Sequence, residues 1–328
     1  MLYYYALLYY NINLKQINTM KKIHLISTLI GLLAFSTISK ADLKVVTSIK
    51  PIHSLASYIM DGVGSPGLIV DGYNSPHNFQ LKPSHAKMLE QADIIFWVGE
   101  DLENFLEKPL DTIANKGEKI ELLEIKGIKK LKFRERNIFE EHDDHGHDAK
   151  KEEHDNHEGH SHGEYDPHIW LDPINAKVIL NEITEHLIEN DSKNASTYKS
   201  NLAKALAKID KLIIDVITET NTDLSYVVFH DAYQYYENRF NVNILGAMTV
   251  NPDVMPGAEQ IHEIHEIIEH DNVSCILSEP QFNPDIIKSI AKDTNVKTGV
   301  LDPLGANLKP GKDLYFDLIR NMSASFNC

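Results

Sequence analysis

Beyond residue 42 the chain alternates short, uninterrupted apolar runs with longer stretches in which apolar positions recur every three or four residues. The runs at 43–48, 67–70, 94–98, 225–230, 242–245, 273–277 and 297–301 predict strands. The three-and-four spacing predicts helices over 52–60, 175–189, 232–240, 257–269, 284–294 and 312–326, and another opening at Pro83 with Ala86, Leu89 and Ala92 on its apolar face. Strands that are apolar on both faces belong in parallel sheets covered by helices, so the expected fold is α/β. The longest periodic stretch, 192–220, carries Tyr198, Leu202, Ala205, Leu206, Ile209, Leu212, Ile213 and Val216 on one side. As one helix at ~1.5 Å per residue it would run the height of a domain. The expected organisation is therefore two α/β lobes, 42–190 and 222–328, joined by a linking helix over 191–221.

The segment before residue 42 has a different character. Lys21 and Lys22 precede an apolar stretch at 23–36, and Ser39, Lys40 and Ala41 form a small-x-small cleavage site. The apolar stretch is too short for a comfortable membrane span. This reads as an export signal starting at Met20, cleaved after Ala41, with 1–19 upstream of the true start. No cysteine sits at the cleavage site to suggest a lipid anchor, so a soluble periplasmic protein is expected. Export changes the meaning of the two cysteines, Cys275 and Cys328. In an oxidising compartment, with no third thiol to compete, they are expected to pair. The loop so closed would stabilise the fold by roughly 4 kcal/mol through chain entropy.

Charge excludes one class of partner. With 48 acidic against 32 basic residues and a net charge of −16, nucleic acid would be repelled. The anomaly is histidine, of which there are 17. Seven of them, His142, His145, His147, His154, His157, His160 and His162, crowd one insert at 140–164 that also holds ten acidic residues and no large apolar one. Such a segment cannot bury a core and is expected to be a disordered loop. Its imidazoles suit Zn²⁺, Cu²⁺ and Ni²⁺, making it an auxiliary metal loop.

Three histidines stand apart from the insert, each at a predicted strand end or loop: His77 in SPHNF, His168 in DPHIW and His230 in FHDAY. Asp302, in LDPLG, follows the last predicted strand. Ligands of open α/β sheets gather at the carboxyl ends of strands, and three imidazoles with a carboxylate or water make an ordinary tetrahedral zinc environment. Spacing alone leaves open whether these residues are ligands or merely cap and surface residues. Other motifs carry less. His262-Glu263-Ile264-His265-Glu266 lacks the second histidine of HExxH and reads as a solvated helix face. His53 and His85 read as packing or cap residues, and Trp97 and Trp170 as core.

The segments TSIKPIHSLA, SPHNFQLKPSHAKMLEQADIIFWVGEDLE, DPHIWLDP, FHDAYQYYENRF, SEPQF and LDPLG, with the histidine-rich insert among them, span nearly the whole exported chain. In this order they resemble the zinc-specific substrate-binding proteins of ABC importers, the ZnuA type within the cluster A-I (cluster 9) metal-binding family. The resemblance implies two lobes bridged by a rigid helix, with Zn²⁺ held in the cleft by His77, His168 and His230 and completed by Asp302 or water. It implies a monomer that hands metal to an inner-membrane permease served by a separate ATPase subunit. Cys275 and Cys328 match the paired cysteines of many zinc members. Related manganese binders carry a carboxylate where this chain has His230, and imidazole favours Zn²⁺ over Mn²⁺. Competing readings are a manganese or other divalent-metal binder of the same family, a zinc hydrolase built on three histidines, and a metal buffer or adhesion protein whose insert is its whole function. No general base at motif spacing, nucleophile elbow or phosphate loop supports an enzyme.

Overall fold

A computed structural model describes residues 42–134, 136–139, 163–250, 252, 254 and 256–328. The expected export signal at 20–41 and the seven insert histidines lie outside the described residues. Two four-stranded sheets form the frame. The first contains β1 (Val45–Ile49), β2 (Gly67–Val70), β3 (Ile94–Trp97) and β4 (Glu118–Glu121) in the order β2-β1-β3-β4. The second contains β5 (Ser225–His230), β6 (Asn243–Thr249), β7 (Cys275–Ser278) and β8 (Lys297–Val300) in the order β6-β5-β7-β8. All pairings within both sheets are parallel, and the two share one connectivity. The expected parallel α/β architecture is what forms. The central strands β1 and β3 are buried at every position, as their unbroken apolar runs require. β4, with sequence EKIE, is an edge strand and exposes its two leading residues, so it carries no apolar signature.

Helices α1 (Lys50–Ile59), α2 (Pro83–Gln91), α3 (Glu100–Thr112) and α4 (Pro173–Asn190) belong to the first half of the chain. Then come α5 (Ala195–Glu219), α6 (Gln234–Phe240), α7 (Ala258–His270), α8 (Asp285–Thr294) and α9 (Leu314–Ser325). The predicted long helix begins three residues late because Ser192–Asn194 is a 3₁₀ turn; the 25-residue α5 buries Tyr198, Asn201, Ala205, Ile209, Leu212 and Val216. It packs against α1, α4 and α9 and joins the lobes. Asn201 reinforces that seat by donating to the carbonyls of Ile59 and Asp61 at the end of α1. None of the helices among the described residues is long and apolar enough to cross a membrane.

The lobes are tied at several buried points beside the cleft. Lys50, 3% exposed, donates its ammonium to the carbonyls of Ala306 and Leu308. Arg239 of α6 grips Asp172 with two bonds of 2.7 Å, and Asp172 caps α4 by accepting the Ile174 amide. Cys275 and Cys328 are joined by a disulfide. Of the insert, only Gly163 and Glu164 are described. The Gly163 amide donates to Asp101, and Glu164 forms an ion pair with Lys132.

One buried carboxyl in this frame has a measurable consequence. Glu103 of α3 is 0% exposed and accepts the amides of Val98 and Gly99 at 2.8 and 3.1 Å. Burial pushes its carboxyl from 4.5 up to about 7. A folded pKa above the unfolded one gives stability that is complete below about 4.5 and is lost as pH rises through about 7. In Glu103→Gln, which mimics the neutral acid, stability relative to the parent should rise by on the order of 2–3 kcal/mol between pH 5 and pH 8. Urea melts at the two pH values check this; a difference that stays constant with pH contradicts it.

Candidate metal centre

His230 is the last residue of β5, placed at the carboxyl end of a central strand. His77 lies in the loop that follows β2, and His168 directly precedes the 3₁₀ turn Ile169–Leu171 that leads into α4. The three rings meet in a nearly equilateral triangle with centroid separations of 5.6, 5.6 and 5.3 Å. One nitrogen from each lies within 4.8 Å of the others. The Nε2 atoms of His168 and His230 are 3.4 Å apart. A tetrahedral zinc ion with Zn–N of about 2.05 Å needs ligand nitrogens about 3.3 Å apart, so this pair already has the spacing of two ligands.

The rings are turned so that Nε2 faces inward because Nδ1 is held from outside. His168 Nδ1 sits 2.7 Å from Asp166 Oδ1, which also accepts the His168 amide. His230 Nδ1 sits 2.6 Å from Glu279 Oε1, and Glu279 follows directly after β7. A carboxylate that takes the distal ring proton fixes the tautomer and leaves the other nitrogen as a basic donor. All four side chains are buried, His168 and His230 at 3% exposure each. Burial holds the His168 imidazole well below its ordinary pKa, with the neighbouring His230 adding to the effect. Burial also lowers that of His230, but Glu279, Asp231 and Asp166 together outweigh it and raise the ring above its usual value. Asp166 is pushed by burial up to about 7.

The enclosing cavity is small, ≈ 10 Å³, and its wall includes Trp170, Phe282, Pro303 and Leu304. That is about the room that a single ion or water takes. Trp170 and Trp97 are core residues as expected, and Trp170 also donates its indole N–H to the Pro303 carbonyl.

Asp302, expected as the fourth ligand with water as the alternative, is not in the group that the three histidines form among the described residues. One carboxylate oxygen accepts the amides of Leu304 and Gly305 and the Gln281 side chain; the other accepts the Ala306 amide. The turn it organises needs Gly305 at φ +70°, a conformation that glycine adopts without strain. Asp302 thus shapes the loop that Lys50 grips. The remaining motifs fall where the sequence placed them. The exposed His262 pairs with Glu266 on the solvated face of α7, His53 packs in the interior against the Pro66 carbonyl, and His85 accepts the Lys82 amide at the start of α2. Sequence reasoning quoted SEPQF without giving Glu279 a role. An acidic residue just after a central strand, opposite a candidate ligand histidine, was the available signal.

Glu279→Gln keeps the shape of the side chain but removes the anion that supports His230. Zinc affinity is expected to fall by about 10- to 100-fold. The pH below which binding is lost should also move down, since the largest influence raising the His230 pKa is gone. Chelator-competition titrations across pH test both; an unchanged pH profile would show that Glu279 does not support the ring.

Two parallel-sheet lobes around a buried, carboxylate-supported trihistidine pocket define a metal-binding protein of the two-lobed α/β class. Residues 45–327 match the family model described as ZnuA, zinc-uptake complex component A, periplasmic, and the chain belongs to this family. It is 44% identical over 300 residues to the high-affinity zinc uptake system protein ZnuA of Brucella abortus (strain 2308), across 86% of this chain and 90% of that protein. Its fold is similar to a crystal structure of ZnuA with TM-score 0.70 at 21% identity, over 87% of this chain and 100% of the other. A Mn-bound periplasmic metal binding protein from candidatus liberibacter asiaticus is similar in the same way, with TM-score 0.67 at 21% identity over 86% and 97% of the two chains. One of these folds holds manganese, so the fold by itself does not choose the metal.

Proposed function

We propose that this chain is the periplasmic high-affinity zinc-binding subunit of an ABC importer, capturing Zn²⁺ and delivering it to a membrane permease whose ATPase is a separate subunit. It is a solute-binding protein and not an enzyme, as its family membership indicates. The observation that carries the choice of zinc is the donor set: three converging imidazoles, two of them with a carboxylate behind the ring. Mn²⁺ prefers oxygen donors, and the carboxylates here face the distal nitrogens. His77, His168 and His230 hold the ion, and water completes the coordination, because both oxygens of Asp302 already serve the 302–306 turn. The imidazoles must be neutral to bind, so loading releases protons and affinity falls in acid.

Export by the signal at 20–41 with cleavage after Ala41, and weak auxiliary binding by the insert histidines, complete the proposal. The long α5 restricts lobe movement, so loading orders the cleft loops and shifts the lobes only modestly. Calorimetric titration of the exported protein lacking 140–164, with Zn²⁺ and then Mn²⁺, separates the readings. One tight zinc site with weak manganese binding is expected. Loss of the tight site would place the metal in the insert and overturn the cleft assignment.

A further inference from the structure

We propose a second, weaker Zn²⁺ site on the first lobe, formed by His186, Glu118 and Glu189 and supported by Glu182. It goes beyond the cleft reading and does not depend on it. Glu118 opens β4, at the amino end of a parallel sheet, whereas the cleft histidines lie beyond the carboxyl ends of strands. His186 and Glu189 project from α4. His186 Nδ1 and one oxygen from each of Glu118 and Glu189 lie mutually within 4.8 Å.

The imidazole is presented as a ligand rather than merely surrounded by charge. Nδ1 faces Glu118 Oε2 at 3.0 Å and Glu189 Oε2 at 4.0 Å, distances that straddle the edge of about 3.4 Å in a tetrahedral N/O zinc site. Nε2 points the other way, 3.3 Å from Glu182 Oε1. One nitrogen toward two carboxylates and the opposite N–H on a third repeats the arrangement that orients a metal-bound histidine. The ring is steadied edge-on against Phe96, and Glu118 also accepts the Asn190 amide at 3.2 Å. His186 is largely shielded, its side chain 20% exposed, while the three carboxylates remain open to solvent at 45%, 29% and 61% for Glu118, Glu182 and Glu189. That openness makes the site reachable and weaker than the cleft.

A protonated imidazole bridging Glu118 and Glu182 is the competing arrangement, and it has no use for Glu189. The full chain, with ¹³C-labelled histidine and the His186 resonance identified through His186→Gln, distinguishes the two in Zn²⁺-buffered solution at pH 7.5. The His186 signal is expected to shift and saturate only after the cleft signals have done so, at free Zn²⁺ below about 1 mM. Glu118→Gln and Glu189→Gln should each raise the midpoint at least tenfold, and Glu182→Gln by about tenfold. A His186 signal that does not move, or a midpoint unchanged in Glu189→Gln, overturns the proposal. The cleft signals report separately, so failure here leaves the cleft assignment standing.

Discussion

Replacing His168 by alanine is expected to lower zinc affinity by two to three powers of ten while leaving the protein folded. Structural zinc sites bind with about 10–16 kcal/mol shared among four ligands, so one ligand accounts for roughly 3–4 kcal/mol, and each 1.4 kcal/mol is tenfold. His168 is the natural target because its Nε2 is already at ligand spacing from that of His230. Its loss leaves Asp166 buried, but the carboxyl keeps the residue-168 backbone amide as donor and, with a pKa of about 7, takes up a proton at little cost. The damage should therefore be local. Chelator competition measures the affinity, and circular dichroism confirms that helix content is retained. A dissociation constant within threefold of the parent would remove His168 from the ligand set.

The cleft was legible in part, and the boundary follows from what kind of signal each residue carries. His77, His168 and His230 could be singled out because imidazoles at loop and strand-end positions are few outside the insert, and the topology then brings three such positions to one crevice. Glu279 and Asp166 were quoted only as neighbours in motifs, since a buried carboxylate that serves a ring nitrogen looks in sequence like any acidic loop residue. Asp302, named with water as the alternative fourth ligand, shows the converse. Its place after β8 is right for a ligand, but in this structure the amides of Leu304, Gly305 and Ala306 in the turn that follows take up the carboxylate. The same division runs through the fold. Apolar β1, β3, β5 and β7 were visible, whereas polar β4 and the helix Glu100–Thr112 went unassigned. In the helix, a non-helical Glu103 and an internal Pro109 break the periodicity that a pattern search relies on.

Cys328→Ser is expected to lower stability by about 4 kcal/mol without weakening zinc binding. The bond closes a loop spanning 53 positions that contains β7, α8, β8 and α9, so its removal mainly enlarges the ensemble of the unfolded chain. The native state has other means of holding that end. Phe326 is fully buried, its ring packs on Tyr226 and Tyr236, and its carbonyl accepts the Tyr226 hydroxyl. Cys275, left as a thiol, is already buried in the central strand β7, where an unpaired cysteine behaves as a small apolar side chain. The cleft carboxylate Glu279 lies on the same strand exit, so zinc affinity is the readout that tells the two effects apart. If the disulfide acts through the unfolded chain, denaturant melts shift while the zinc dissociation constant stays within twofold. If it holds the β7 exit in place, both change, and reducing agent should reproduce the loss of affinity in the parent protein.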